Sequence, residues 1–291
     1  MQGAGDRAFG APAATFAWCS SPCWLRRCRA RFLAQEYRLN APIGLILKPY
    51  IALMHGFVLG GGAGVSVHGR LRLADPGMSF AMPETAIGFV PDIGSSHFLA
   101  RCPGRLGLYL GLTGTRIGAG DAMAAGLVDM IVSRTDFPAL LERLAAGEEP
   151  EAAARAFAGK PPPQALAGHR RRIDTVFAAP SVEAILERLD RDGSEFALDT
   201  AALLRARSPS SLKLVFRQLQ AAPGMSLREC LTMEYRLALR VITRHDFVEG
   251  VRAALVDKDR NPHWRPAALA AVPEQDIEAA FAPLARDLFA D

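Results

Sequence analysis

Apolar and polar positions follow two different patterns along this chain. In residues 48–132, short β-type runs at 51–54, 65–73 and 78–80 alternate with helical patterns and with turns marked by Gly and Pro. Two of the helical patterns cover 106–112 and 119–125. This alternation predicts an α/β unit in the first half of the chain.

After about residue 135 the pattern is almost wholly helical. Apolar residues recur every three or four positions in segments such as 182–189, 212–220 and 227–239, which predicts helices with one buried face. A single marked break, Lys160-Pro161-Pro162-Pro163, predicts a loop or linker.

A run of three glycines, 60–62, follows the apolar stretch 51–59. It would make a poor helix interior, but it suits a strand-to-helix turn where backbone approaches a ligand closely. The N–H of Gly61, in the middle of the run, is then a candidate donor to negative charge developing on a carbonyl oxygen. The open alternative is that the glycines only allow close helix packing.

Two carboxylates, Glu84 and Asp92, follow within a short distance along the chain. A carboxylate near an oxyanion donor can act as a base or nucleophile toward an acyl compound. Both residues could equally be solvated loop carboxylates. Spacing alone leaves the choice open.

Several motifs around these residues carry a family resemblance: Lys48-Pro49-Tyr50-Ile51-Ala52, His55-Gly56, the triple glycine, Met82-Pro83-Glu84 through Asp92, Leu231-Thr232-Met233-Glu234-Tyr235, and 245–253. They resemble the enoyl-CoA hydratase/isomerase (crotonase) superfamily and, within it, the 3-hydroxyisobutyryl-CoA hydrolases. The resemblance implies a crotonase-like spiral core of ββα units, with its first strands missing, followed by a helical C-terminal region. It predicts a partial catalytic core at 1–134 and the helical region at 135–291.

The resemblance also implies roles for four residues, Glu36, Gly61, Glu84 and Asp92, all of which would contact the substrate. The N–H of Gly61 would hold the thioester carbonyl oxygen, and Glu84 would attack the carbonyl or activate water. Asp92 would orient the acyl hydroxyl. Glu36 could equally be a solvated helix position. The implied reaction is hydrolysis of 3-hydroxyisobutyryl-CoA, or a similar 3-hydroxyacyl-CoA, in valine catabolism.

Two alternatives remain beside thioester hydrolysis. The first is an enoyl-CoA hydratase or isomerase, but hydratases of the superfamily usually carry a catalytic glutamate where this chain has Gly64. The second is a non-catalytic remnant, because family-like sequence is interrupted at 10–29 by a segment rich in Cys, Trp and Arg. We expect a local frame shift there. Pro12 precedes the position of a second oxyanion donor and would alter that loop.

Several other residues have side chains that can act as ligands or catalysts. The cysteines at 19, 23 and 28 lack the paired spacing of a zinc site, so no metal is expected. Ser66, His68 and Ser95 are interpreted as structural rather than as a catalytic triad. The arginines at 101, 105 and 116 could touch CoA phosphates, although solvated helix ends are the default for each.

Composition limits the remaining choices. The chain has 291 residues, 50% of them hydrophobic, which suffices for one substantial core, and its net charge of +4 is modest. We therefore expect an acyl-CoA substrate as the partner, with neither nucleic acid nor a membrane, and no metal or redox cofactor. A homo-oligomer stays open. Five cysteines without a disulfide framework favour a reducing, cytoplasmic location.

Overall fold

The structure is a computed structural model that describes residues 23–290, with side chains from residue 30 onward. The expectation of an aberrant segment at 10–29, and that of no metal at its three cysteines, therefore lie outside the described side chains. The backbone at 23–29 is helical.

Within residues 23–290, six short strands form two small sheets: β1 (Ile51–Met54), β2 (Phe57–Val58), β3 (Leu71–Ala74), β4 (Ser79–Phe80), β5 (Ile117–Gly118) and β6 (Met130–Ile131). One sheet has the order β1-β3-β6 and is parallel throughout. The other has the order β2-β4-β5, in which β2 and β4 are parallel and β5 is antiparallel to β4. The expected strands at 51–54 and 78–80 are confirmed.

The predicted strand at 65–73 is wrong for most of its length. Helical turns continue past the glycines, because the N–H groups of Ser66 and Val67 both donate to the carbonyl of Ala63. The Ser66 hydroxyl also donates to the carbonyl of Gly62 at 2.7 Å. Only Leu71–Ala74 is a strand. An apolar run buried in a turn has the same composition as a buried strand, and periodicity cannot separate the two.

Helices account for about half of the described residues: α1 (Cys23–Leu45), α2 (Gly61–Gly64), α3 (Ser95–Leu99), α4 (Leu106–Thr113), α5 (Ala119–Ala124), α6 (Phe137–Ala145), α7 (Pro150–Arg155), α8 (Arg170–Val176), α9 (Val182–Asp192), α10 (Glu195–Arg205), α11 (Pro209–Ala221), α12 (Leu227–Val241), α13 (His245–Val251) and α14 (Glu274–Phe281). Shorter helical turns lie between them, among them the 3₁₀ turn Glu84–Ile87. The expected helices in both halves are confirmed, as is the break at 160–163.

The long C-terminal helices begin where the sequence provides caps. Four serines, 181, 194, 208 and 226, precede α9 to α12, and each side chain accepts a hydrogen bond from a backbone N–H of the first turn. Such caps satisfy N–H groups that have no partner within the helix. At α12, Ser226 and Glu229 form a full capping box.

One hydrophobic cluster joins the two halves of the described chain. It contains buried residues from α1, from the strands and from the C-terminal helices, including Tyr37, Phe80 and Leu231. Helix α12 packs against both α1 and α3. This packing brings a C-terminal helix under the loop that carries Asp92.

Candidate active site

The glycine run forms the expected strand-to-helix turn. Strand β2 ends at Val58, and Gly60 turns the chain with φ 48° and ψ −130°, a conformation that side-chain-bearing residues rarely adopt. Helix α2 then begins at Gly61. The first N–H groups of a helix have no acceptor within it, so the Gly61 N–H is available to a ligand. Because α2 has four residues, the local N–H rather than a helix dipole would provide the interaction.

Helix α1 brings Asn40 to the same side as both Glu36 and Tyr37, since it lies four and three positions after them. A Cβ placed on Gly61 would lie 3.3 Å from Oε1 of Glu36, so the Glu36 carboxyl group faces the glycine turn. Burial, and then the charge of Asp92, raise the pKa of Glu36 to about 7. Glu36 is thus placed against the turn and not on a solvated face of α1.

Glu84 opens the 3₁₀ turn Glu84–Ile87 and is buried. Its Oε2 atom has no hydrogen-bond partner among the described residues. Burial, followed by the charge of Asp92, raises the pKa of Glu84 well above its usual value. A buried, unpartnered carboxyl oxygen is expensive unless a ligand uses it, which makes Glu84 a candidate for reaction with a substrate.

Asp92 lies in an irregular segment and is also buried. The hydroxyl of Tyr37 donates to Oδ2 of Asp92 at 2.6 Å. Burial raises the pKa of Asp92 to about 6, and the Tyr37 hydrogen bond opposes that rise. Since the charge of Asp92 raises the pKa of both Glu36 and Glu84, it acts on both of these carboxyl groups.

The structure thus brings the four predicted site residues, Glu36, Gly61, Glu84 and Asp92, into one region. Three interacting carboxyl groups in a buried site do not all ionise together near neutral pH, so protons are shared among them. One of the three carboxyl groups can therefore stay protonated while another, ionised, accepts a proton from a ligand, next to the N–H of Gly61. These are the elements of acyl transfer, although the individual roles stay predictions.

Ser66, His68 and Ser95, which are interpreted from the sequence as structural, contact backbone carbonyl groups or a buried carboxyl group. A ring nitrogen of His68, Nε2, lies 2.7 Å from the carbonyl oxygen of Ile93, and burial lowers the pKa of the imidazole. The Ser66 hydroxyl is bonded to backbone carbonyls, and the Ser95 hydroxyl lies 3.4 Å from Glu234. None of these contacts joins a serine to His68.

Two of the three arginines considered for CoA phosphates have other contacts. Arg101 donates to the backbone carbonyls of His97 and Met225. The guanidinium of Arg116 lies 4.8 Å from the centre of the Phe57 ring. Phosphate binding by any of the three stays a prediction.

Sequence reasoning missed Tyr37, Asn40 and Glu234 at this site. Asn40 could have been found from Glu36, because it lies four positions later on the same face of a helix. Glu234 accepts hydrogen bonds from the backbone N–H groups of Gly94 and Ser96, which lie 140 and 138 positions away. Local sequence patterns do not predict contacts over such a separation.

Within residues 30–290, no group of three His, Cys, Asp or Glu side chains is arranged to hold a metal ion. None of the described helices combines the length and the apolar character that crossing a bilayer requires.

Comparison with known proteins extends these observations. The family model described as enoyl-CoA hydratase/isomerase matches residues 1–281. The mitochondrial 3-hydroxyisobutyryl-CoA hydrolase of Xenopus tropicalis is 46% identical over 87% of this chain and 68% of the relative. The Homo sapiens protein of the same name is 42% identical, again over 87% and 68%.

Two solved structures of proteins named as other acyl-CoA enzymes have the same fold as this chain. A carnitinyl-CoA dehydratase from Mycobacterium thermoresistibile is 38% identical, with a TM-score of 0.89 over 98% of this chain and 83% of that one. An enoyl-CoA hydratase from Rhodobacter sphaeroides 2.4.1 is 38% identical, with a TM-score of 0.82 over 89% and 75%. The expected crotonase-like fold is confirmed, and the chain belongs to the enoyl-CoA hydratase/isomerase family.

Proposed function

We propose that this chain hydrolyses the thioester of 3-hydroxyisobutyryl-CoA, or of a similar short 3-hydroxyacyl-CoA, to the free acid and CoA. The observation that carries the proposal is the placement of Glu84 and Asp92, two interacting buried carboxyl groups, in the same site as the Gly61 turn. The names of the curated relatives support the substrate.

The Gly61 N–H would donate to the thioester carbonyl oxygen as it gains negative charge in the tetrahedral intermediate. The ionised Glu84 would either attack the carbonyl carbon, releasing CoA as its thiolate and leaving a mixed anhydride that water cleaves, or remove a proton from an attacking water. Both routes need Glu84 in its carboxylate form. The unpartnered Oε2 atom of Glu84 gives it a free oxygen for either step.

Asp92 would accept a hydrogen bond from the 3-hydroxyl of the acyl group. Its own position is fixed by Tyr37, which donates to Oδ2. A site built to bond a hydroxyl disfavours an acyl chain without one, because the buried carboxyl group would then lose that hydrogen bond. Glu36, facing Gly61, would line the same substrate site.

The hydratase alternative meets a packing obstacle at Gly64. A Cβ on Gly64 would lie 2.8 Å from Nδ2 of Asn40 and 3.1 Å from Cβ of Ile93. The space next to the backbone, where a hydratase glutamate side chain would start, is therefore occupied in this chain. This contact favours hydrolysis over water addition, although the solved structures above carry hydratase and dehydratase names.

The proposed hydrolysis needs no metal or redox cofactor. The backbone N–H of Gly61 would stabilise the negative charge on the carbonyl oxygen, and the Glu84 carboxylate would supply the nucleophile or the base. The relatives are named mitochondrial, so they give no support to the cytoplasmic location expected from the cysteines. A place in valine degradation follows from the proposed substrate. The acyl-CoA is the partner that the proposal requires.

Parallel assays separate the candidate functions. Purified protein is mixed with 3-hydroxyisobutyryl-CoA and free thiol is measured, while crotonyl-CoA is followed for loss of its enoyl group. Thiol release without hydration is the expected result. Hydration without thiol release would replace the proposal by the hydratase alternative, and silence in both assays would favour the non-catalytic alternative.

A further inference from the structure

The segment that carries Asp92 has little regular structure to hold it. Residues 89–92 belong to no helix or strand, and α3 begins only at Ser95. Ile93, next to Asp92, has φ 56°, in the left-handed region that a β-branched residue rarely adopts. A conformation of this kind persists only where surrounding contacts impose it.

Those contacts come from the C-terminal helices, far along the chain. Glu234 on α12 is fully buried. Its Oε2 accepts a hydrogen bond from the backbone N–H of Gly94 at 2.6 Å, and its Oε1 accepts one from the N–H of Ser96 at 2.7 Å. The Ser96 hydroxyl is a further donor to Oε1, at 2.6 Å. One carboxyl group therefore binds the chain just after Asp92.

Gln218 on α11 holds the other side of Asp92. Its Nε2 atom donates to the backbone carbonyl of Pro91 at 2.7 Å and to the Ser96 hydroxyl oxygen at 2.8 Å. Because the Ser96 oxygen accepts from Gln218, its single proton is free to go to Glu234. The hydrogen bonds thus run in one direction, from Gln218 through Ser96 to Glu234.

We propose that Glu234 is a positioning residue for the reaction: it holds residues 91–96 from beneath, with Gln218 and Ser96, so that Asp92 meets the acyl hydroxyl. This inference rests on the proposed function, because it assigns Glu234 an effect on turnover through Asp92. It also explains how helices more than 100 residues downstream affect a site formed by α1, the glycine turn and residues 84–92.

The chemistry of the site requires a carboxylate at position 234. Both oxygens of Glu234 face backbone N–H donors, so each must accept. A glutamine of the same shape would place its NH₂ group against one of those N–H groups and leave a buried donor unpaired. The hydrogen bonds from Ser96 and Gly94 lower the pKa of Glu234, but burial outweighs them and leaves the pKa raised, at about 8. The carboxylate form is therefore inferred from geometry, because each oxygen faces an N–H group that can only donate.

The test compares Glu234→Gln with Glu229→Gln, the same change on an exposed residue of the same helix, where glutamine also suits the capping box. Steady-state thiol release gives kcat and KM for each. Hydrogen exchange of a peptide covering 90–100 reports the loop directly. For Glu234→Gln we expect kcat to fall about 10- to 100-fold, KM to change less than about threefold, and exchange at Gly94 and Ser96 to become faster. Glu229→Gln should match the unchanged protein.

Ser96→Ala provides a milder second variant, since it removes one hydroxyl and keeps both backbone bonds to Glu234. Its kcat should fall about three- to tenfold, the effect of one hydrogen bond. The inference is overturned if either foldable variant keeps both the kcat and the exchange rate of the unchanged protein, or if KM rises while kcat holds. If the unchanged protein hydrolyses no acyl-CoA, the proposed function fails, and the exchange measurement still decides whether Glu234 holds the loop.

Discussion

Tyr37 and Asp92, which are 55 positions apart, share a buried hydrogen bond of 2.6 Å between the phenol and a carboxyl oxygen. Helix α1 supplies the donor, and the segment after the 3₁₀ turn Glu84–Ile87 supplies the acceptor. The bond counteracts the rise that burial causes in the pKa of Asp92. The charge and the orientation of Asp92 therefore depend on a residue that the substrate need not touch.

Tyr37→Phe removes this donor without changing the size of the ring. We expect the free energy of unfolding to fall by about 1–3 kcal/mol, because a buried carboxyl group loses a partner. The pKa of Asp92 should rise further above its usual value. Urea unfolding of the variant measures the first effect. Tyr235→Phe is the matched control, since its hydroxyl makes only a 3.5 Å contact with the carbonyl of Ala30; equal losses in both variants would contradict the expectation.

Asp92→Asn should change the pH dependence of hydrolysis as well as its rate. The charge of Asp92 raises the pKa of Glu84, and the proposed reaction requires ionised Glu84, so we expect activity to rise with pH as Glu84 loses its proton. Removing that charge lowers the pKa of Glu84. The acidic limb of kcat/KM should therefore move to lower pH while the maximum falls.

The pH profile of Asp199→Asn, a change at an exposed site, is the control for this measurement. It should superimpose on that of the unchanged protein. An acidic limb that stays in place, or moves to higher pH, in Asp92→Asn would refute the assigned coupling between Asp92 and Glu84.

Gly61→Pro tests the backbone donor. Proline is well tolerated at the first position of a helix, which Gly61 occupies, but it has no N–H. Loss of one oxyanion donor typically lowers kcat by about 10²–10³-fold. Gly61→Ala keeps the N–H and adds a Cβ that lies 3.3 Å from Glu36, so it controls for crowding. If both variants lose the same activity, the N–H of Gly61 is not the donor.

Glu36→Gln should alter how stability depends on pH. The folded state raises the pKa of Glu36 from 4.5 to about 7, so it binds this proton more tightly than the unfolded chain does. That contribution is complete below about pH 4.5 and is lost as the pH rises through about 7. Glu36→Gln removes the titration, and it should therefore gain stability relative to the unchanged protein as the pH increases.

Urea unfolding near pH 5 and near pH 8 measures this effect, and we expect a relative gain of about 1–3 kcal/mol at the higher pH. Glu142→Gln, a change at an exposed helix position, should show no such trend. A constant difference between Glu36→Gln and the unchanged protein at both pH values would mean that Glu36 is not buried beside Asp92.

Local rules account for the parts of the fold that were predicted correctly. The glycine run predicted its turn correctly because Gly60 adopts a positive φ. The helices expected at 182–189, 212–220 and 227–239 are present because apolar residues recur there every three or four positions. The prediction of a strand at 65–73 was wrong for most of that segment, because a buried turn there has the apolar composition of a buried strand. The contacts of Glu234 and Gln218 with the Asp92 segment depend on tertiary packing across more than 100 residues, which no periodicity encodes.

In the proposed reaction, Glu84 performs the chemistry of thioester hydrolysis beside Asp92 and Gly61. Free-thiol release from 3-hydroxyisobutyryl-CoA by Glu84→Gln, with Glu142→Gln alongside, tests it most directly. We expect Glu84→Gln to lower kcat by about 10³-fold or more while CoA binding changes less than about threefold. Unchanged turnover in Glu84→Gln would contradict it.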